Sequence, residues 1–192
     1  MKLNKSIIHS SFISKLKLLN EKISLLENNF ENLFELITLS KTTLNKKGKI
    51  IFAGNGGSAS QSQHMAAELV NRYKLNRRSL PSVSLTSDTA VITSIANDFK
   101  YKYIFSRQLS AIGNKNDLLI LLSSSNKSLN ILEAIQQAKK MKIKSVLITS
   151  DKAKIVKKTD LIIKLPCEKT DTYQELELIF SHFYIEMLEG LI

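Results

Sequence analysis

From Lys49 onward the chain carries five short, β-prone apolar runs, Lys49–Ala53, Ser82–Thr86, Asp117–Leu122, Lys144–Thr149 and Asp160–Leu165, separated by stretches of helical periodicity. Runs this short, with little polar alternation, are strands covered on both faces. Strands that alternate with helices build βα units, so the spacing predicts a mostly parallel sheet with helices on each side, a doubly wound α/β fold. Upstream, Ile8, Phe12, Ile13, Leu16, Leu19, Ile23, Leu26, Phe30, Leu33, Phe34 and Ile37 recur at helical spacing and predict two consecutive helices over Ile7–Leu44. Their apolar stripe is wider than one helix buries against a small sheet, which leaves two expectations: a cap over the core, or a face for another subunit. Tyr173–Leu191 is amphipathic and predicts a closing helix. With no repeat, low-complexity tract or linker, the 192 residues read as one domain, with N-terminal helices over 1–46 and an α/β core over 47–192.

Hydrophobic residues make up 43% of the chain, enough for one ordinary core without disulfide or metal staples. Polar residues interrupt every apolar stretch before the roughly 20 residues that a membrane helix needs. Met1–Ser10 lacks the apolar region and small-residue cleavage site of a signal peptide, so a cytoplasmic protein with no membrane partner is expected. The lone Cys167 has no companion for a disulfide or a thiolate zinc site and reads as a small strand-end side chain. The net charge of +11 raises a nucleic-acid reading. Against it, the positive charge is mostly Lys, is dispersed over the first 164 residues, and is nowhere interleaved with aromatics. The charge reads as a solvated surface whose field attracts a small anion such as a sugar phosphate.

Two loops could hold such an anion. Gly54-Asn55-Gly56-Gly57-Ser58 follows the first strand and opens a helix through His64, Glu68 and Arg72. Its glycines let backbone N–H groups approach a ligand at a helix N-terminus. Gly54, Gly56 and Ala59 also match the dinucleotide pattern G-x-G-x-x-A, but the acidic ribose ligand expected after the second strand is absent and Asp88 comes too late. Ser123-Ser124-Ser125-Asn126-Lys127-Ser128 follows the third strand and opens a helix near Leu129, a pattern suited to a monophosphate or to a simple N-cap with spare serines. Open α/β sheets bind ligands at these carboxyl ends of their strands.

His64 and Glu68 stand at i and i+4 on one helix, while Gln174 and His182 lie two turns apart on one side of the last helix. Two imidazoles, a carboxylate and an amide oxygen suit zinc, or acid–base work, although spacing alone favours a purely structural role. His9 reads as an ordinary polar-face or interface residue. Asn97-Asp98-Phe99 ends a helix that begins near Thr89 and could cap it or bond sugar hydroxyls.

Together these motifs resemble the sugar isomerase (SIS) domain, and within it the phosphoheptose isomerase family, from about Lys47 to the C-terminus. The resemblance is carried by Gly54–Ser58, His64 with Ala67-Glu68-Leu69 and Arg72-Tyr73, Asn97–Phe99 with Phe105-Ser106-Arg107, the serine loop, and Gln174-Glu175 with His182. It implies a five-stranded parallel sheet in a homotetramer with sites between subunits, and conversion of sedoheptulose 7-phosphate to D-glycero-D-manno-heptose 7-phosphate for bacterial surface polysaccharide. It further implies substrate contacts from Asn55, Gly56, Gly57, Glu68, Asn97, Asp98, Ser123, Ser124, Ser125, Ser128 and Gln174. One zinc ion per subunit would be held by His64, Glu68, Gln174 and His182, with Glu68 as base and His182 as acid. The sequence departs from the family pattern at Ser124 and Asn126, where threonine and glycine are usual. It departs again at Ser150–Ala153, which replaces a glycine-rich stretch, at Thr172-Tyr173, and at Glu177, where histidine is common. Asn tolerates the left-handed conformation, so the phosphate loop is expected to survive. The rival reading is a non-catalytic SIS protein that senses a phosphosugar or binds the replication initiator, but a scaffold has no chemical need for the His64, Glu68, Gln174, His182 set.

Overall fold

The computed structural model describes residues 4–192. The chain begins with helix α1 (Lys5–Ser24), a short 3-10 turn (Leu25–Asn29) and helix α2 (Phe30–Asn45), followed by the α/β core. The core runs β1 (Ile50–Gly54), α3 (Gly57–Val70), β2 (Ser82–Ser84), α4 (Thr89–Asp98), a 3-10 turn (Tyr101–Tyr103), α5 (Ile104–Ile112), β3 (Leu118–Leu122), α6 (Leu129–Met141), β4 (Lys144–Ser150), β5 (Leu161–Leu165) and α7 (Thr170–Glu189). All strand pairs are parallel, in the order β2-β1-β3-β4-β5. The five apolar runs therefore form the expected doubly wound sheet.

Alternation along each strand divides the core into two layers. Ile50, Phe52, Leu118, Ile120 and Leu122 point toward α2, α3 and α7. Ile51, Ala53, Leu119 and Leu121 point toward α4, α5 and α6. Because both directions are buried, the strands show no polar alternation.

The strand order reverses at β1 and β3, which pair directly from Ile50↔Leu118 to Gly54↔Leu122. This is the switch point where open α/β sheets form a crevice. The glycine turn and the serine loop leave from these neighbouring strand ends.

The N-terminal helices divide the work between the two alternatives left by the sequence. Leu36, Ile37 and Leu44 of α2 are buried in the core, so α2 caps the sheet. No residue of α1 is buried, and Ile7, Ile8, Phe12 and Leu16 remain exposed. A Lys15 side chain bridging Asp171 and Glu175 ties α1 to the start of α7.

Candidate active site

The site is built on two helices that lie side by side on one face of the sheet, α3 and α7. Both start at the crevice. Gly56 caps α3 with φ of 57°, a conformation in which glycine carries no steric cost. The Gln174 amide packs on Gly57, where an added methyl would collide with it. One turn along, the Ser58 hydroxyl donates to Glu177 Oε2 (3.0 Å), and Gln61 Nε2 donates to the Gln174 carbonyl (2.8 Å). With the Gln174 side chain over Gly57, that space is not open to the pyrophosphate of the dinucleotide reading.

Two turns further, His64 Nε2 lies 3.1 Å from Glu68 Oε1, and the His182 ring meets His64 edge-on with centroids 5.2 Å apart. Three of the four residues singled out for chemistry thus converge from two helices. His182 Nε2 is shielded from solvent and has no hydrogen-bond partner. Burial, aided by neighbouring His64, lowers the His182 pKa below the ordinary histidine value.

Gln174 does not join them. Eight residues separate it from His182, about 12 Å along α7 at the helical rise. Its amide lies at the start of α3, whereas Glu68 is near that helix's end.

The donors fit a zinc ion in kind and in part in spacing. Two ligand atoms on one tetrahedral zinc stand about 3.3 Å apart, close to the His64–Glu68 separation of 3.1 Å. Among the described residues, no group of three His, Cys, Asp or Glu side chains is already gathered around one point.

At the crevice, Asn55 and Asn130 exchange amide hydrogen bonds of 2.9 and 2.7 Å, and the Tyr101 hydroxyl donates to Asn55 Oδ1 (3.1 Å). Asn55, Tyr101, Asn130 and Ser128 line a cavity of about 410 Å³. Ser128 occupies the N-cap position of α6 without making a side-chain capping bond, which leaves its hydroxyl free for a ligand. Ser123 is buried and its Oγ accepts from Asn126 N, so it shapes the loop from within. Ser124 and Ser125 face a second cavity of about 230 Å³ with Lys127, Lys152 and Lys169. Asn97 donates to Asp98 Oδ1 (2.9 Å) at the exposed end of α4, and Arg107 stacks on Phe99 at 3.7 Å. Tyr101 and Asn130 carried no motif signal: their part depends on β1 and β3 being neighbours.

Known proteins share this architecture. Residues 11–150 match the model of the SIS domain. The chain is 41% identical over 159 residues to the phosphoheptose isomerase of Thermodesulfovibrio yellowstonii, covering 82% of this chain and 79% of that protein. It is 38% identical over 184 residues to that of Helicobacter pylori, covering 95% and 94%. The chain belongs to the phosphoheptose isomerase family of SIS-domain proteins. The phosphoheptose isomerase structure from Neisseria gonorrhoeae superposes with a TM-score of 0.86 at 29% identity, covering 94% of this chain and 99% of that one.

The chain's departures from the family pattern are absorbed locally. Asn126, standing where glycine is usual, has φ of 50° and is fully buried, so the serine loop takes a left-handed turn there. Glu177, standing where histidine is common, is fully buried and keeps a bond to Ser58. Burial pushes its pKa up to about 7, against the opposing hydrogen bond from Ser58. Cys167 is buried at the end of β5, as its strand-end reading expected, and burial pushes its thiol up to about 11.

Proposed function

We propose that the chain is an aldose–ketose isomerase that converts sedoheptulose 7-phosphate to D-glycero-D-manno-heptose 7-phosphate for bacterial surface polysaccharide. The observation that carries this reading is the gathering of Glu68 and His182 around His64, in a chain 38–41% identical to named phosphoheptose isomerases.

The reaction moves one hydrogen from C1 to C2 and one proton from the C1 oxygen to the C2 oxygen. Glu68 takes the C1 proton, and the electron pair of that bond forms the C1–C2 double bond of an enediolate. A neutral imidazole can both donate and accept, so His182 protonates the C2 oxygen and receives the proton of the C1 hydroxyl. Glu68 then returns its proton to C2. Asn55, Gly56, Gly57, Asn97 and Asp98 are assigned to the sugar chain, and Ser123, Ser124, Ser125 and Ser128 to its phosphate. Two loops with N–H groups and hydroxyls at adjacent strand ends support that division.

Zinc would be held by His64, Glu68 and His182, with Gln174 supplied by a neighbouring subunit, because the chain's own Gln174 is about 12 Å along α7 from His182. When bound, it supplies Lewis-acid polarisation of the substrate carbonyl. The neighbour is another copy in a cytoplasmic homotetramer. In support, an apolar groove of about 940 Å³ runs between α2 and α7, lined by Phe30, Leu33, Phe34, Ile37, Phe183 and Met187. Phe30 and Phe34 are 63% and 61% exposed in the single chain, and no described helix is long and apolar enough to cross a membrane.

The test is direct conversion. Purified protein supplied with zinc and sedoheptulose 7-phosphate is expected to yield the aldose phosphate, detected by its C1 signal in NMR. No aldose under enzyme excess would remove this reaction.

A further inference from the structure

The His182 ring has no hydrogen bond to fix its orientation, since its shielded Nε2 has no partner among the described residues. Packing holds it instead. The Tyr73 ring stacks on it with centroids 5.2 Å apart and an interplanar angle of 18°, while His64 presents the edge contact on another side. Tyr73 lies outside both helices, in the loop after α3, so something must hold that loop.

Glu189, at the end of α7, does so. The backbone N–H groups of three consecutive residues, Tyr73, Lys74 and Leu75, converge on its carboxylate at 3.0, 2.8 and 2.9 Å. Successive N–H groups arranged in this way form an anion-binding concavity. Arg77 Nε lies 3.0 Å from Glu189 Oε1, and the two side chains are only 8% and 1% exposed. The same guanidinium reaches α3, with Nη1 donating to Leu69 O (3.0 Å) and Nη2 to Glu68 O (2.9 Å). Burial alone would raise the Glu189 carboxyl, but the three N–H groups and Arg77 outweigh it and hold the pKa below the ordinary value. One buried ion pair thereby ties the ends of both helices that carry Glu68 and His182 to the loop that carries Tyr73.

We propose that Glu189 and Arg77 are a positioning pair that holds Tyr73 against His182, so that a carboxylate remote from the substrate sets the angle of the catalytic imidazole. The proposal rests on the assignment of His182 to proton transfer. Tyr73 acts through its ring face, and its hydroxyl is not required.

The test uses the full-length protein and two readouts. The chain has three histidines, His9, His64 and His182, so its imidazole signals can be resolved and assigned by NMR. Stacking on Tyr73 places the His182 ring protons in the aromatic ring current. Tyr73→Phe is expected to keep that shift and a kcat near wild type. Tyr73→Leu is expected to lose the shift and lower kcat by about 10- to 100-fold, the scale of a misplaced catalytic group, with KM changed little. Glu189→Gln is expected to move the His182 signals in the same direction as Tyr73→Leu while the protein stays folded. A folded Glu189→Gln protein with unshifted His182 signals and unchanged kcat would overturn the proposal. If Glu189→Gln does not fold, the Tyr73 pair decides: His182 signals and kcat alike in Tyr73→Leu and wild type would overturn it. The ring signals are read without substrate, so a wild-type protein inactive on sedoheptulose 7-phosphate would refute the proposed reaction and leave the positioning test intact.

Discussion

At the scale of single residues, Glu177 is the carboxyl that folding holds well above its ordinary pKa. Its folded pKa of about 7 stands above the 4.5 of an unperturbed glutamate. Between those values the folded state holds a proton that the unfolded state has released, so stability falls as pH rises through the window, and the full loss is reached above about pH 7. The shift corresponds to about 3 kcal/mol. Glu177→Gln, which mimics the protonated acid and can still accept from Ser58, is expected to raise Tm at pH 8 by several degrees and to change it little at pH 4. Equal Tm shifts at both pH values would show that the carboxyl is ionised in the fold without cost. The sequence marked Glu177 as unusual for its family, but not as buried, because burial depends on α7 lying along α3.

At the scale of elements, the strands and most helices were legible because burial imposes period. β1 and β3 are apolar on successive residues, as is β4 over Val146–Ile148, and runs so short and apolar, bounded by turns, fit strands covered on both faces. Legibility failed where the ends are set by tertiary bonds. The second strand was expected to reach Thr86 but ends at Ser84, where the Ser84 and Thr86 hydroxyls bond each other and Thr86 Oγ1 donates to Ala59 O. The helix through His64 ends at Val70, short of Arg72, because Arg77 takes up carbonyls at its end. The last helix starts at Thr170 rather than Tyr173. Motif spacing placed the candidate residues on α3 and α7 and marked Tyr73 only as part of the family motif, while Arg77 and Glu189 act across the fold and left no local signal. The contact between these helices at Gly57 has its own test. Gly57→Ala must displace the Gln174 amide, the far end of a flexible side chain, so the expected cost lies at the low end of the roughly 1–3 kcal/mol of overpacking. A lower urea midpoint with an unchanged m-value is expected, whereas a wild-type midpoint would mean that Gln174 is free to move aside.

At the scale of the whole molecule, two features of the single chain bear on the proposed homotetramer. Its Gln174 amide packs against Gly57 rather than beside His64, Glu68 and His182, and its α2–α7 groove leaves large aromatic side chains exposed. Both follow if the site is completed by another copy. The combined substitution Phe34→Asp and Phe183→Asp places charge in the groove and is expected to give smaller species by sedimentation, with isomerase activity lost in proportion to dissociation. Full activity in a monomer would show that one chain suffices. The central claim, that Glu68 is the base of a sugar-phosphate isomerase, is tested most directly by Glu68→Gln, with turnover and calorimetric binding of sedoheptulose 7-phosphate measured on the same preparation. Turnover is expected to fall by at least about 10²- to 10⁴-fold, the range for losing a general base, with binding retained; near-normal turnover would contradict the claim.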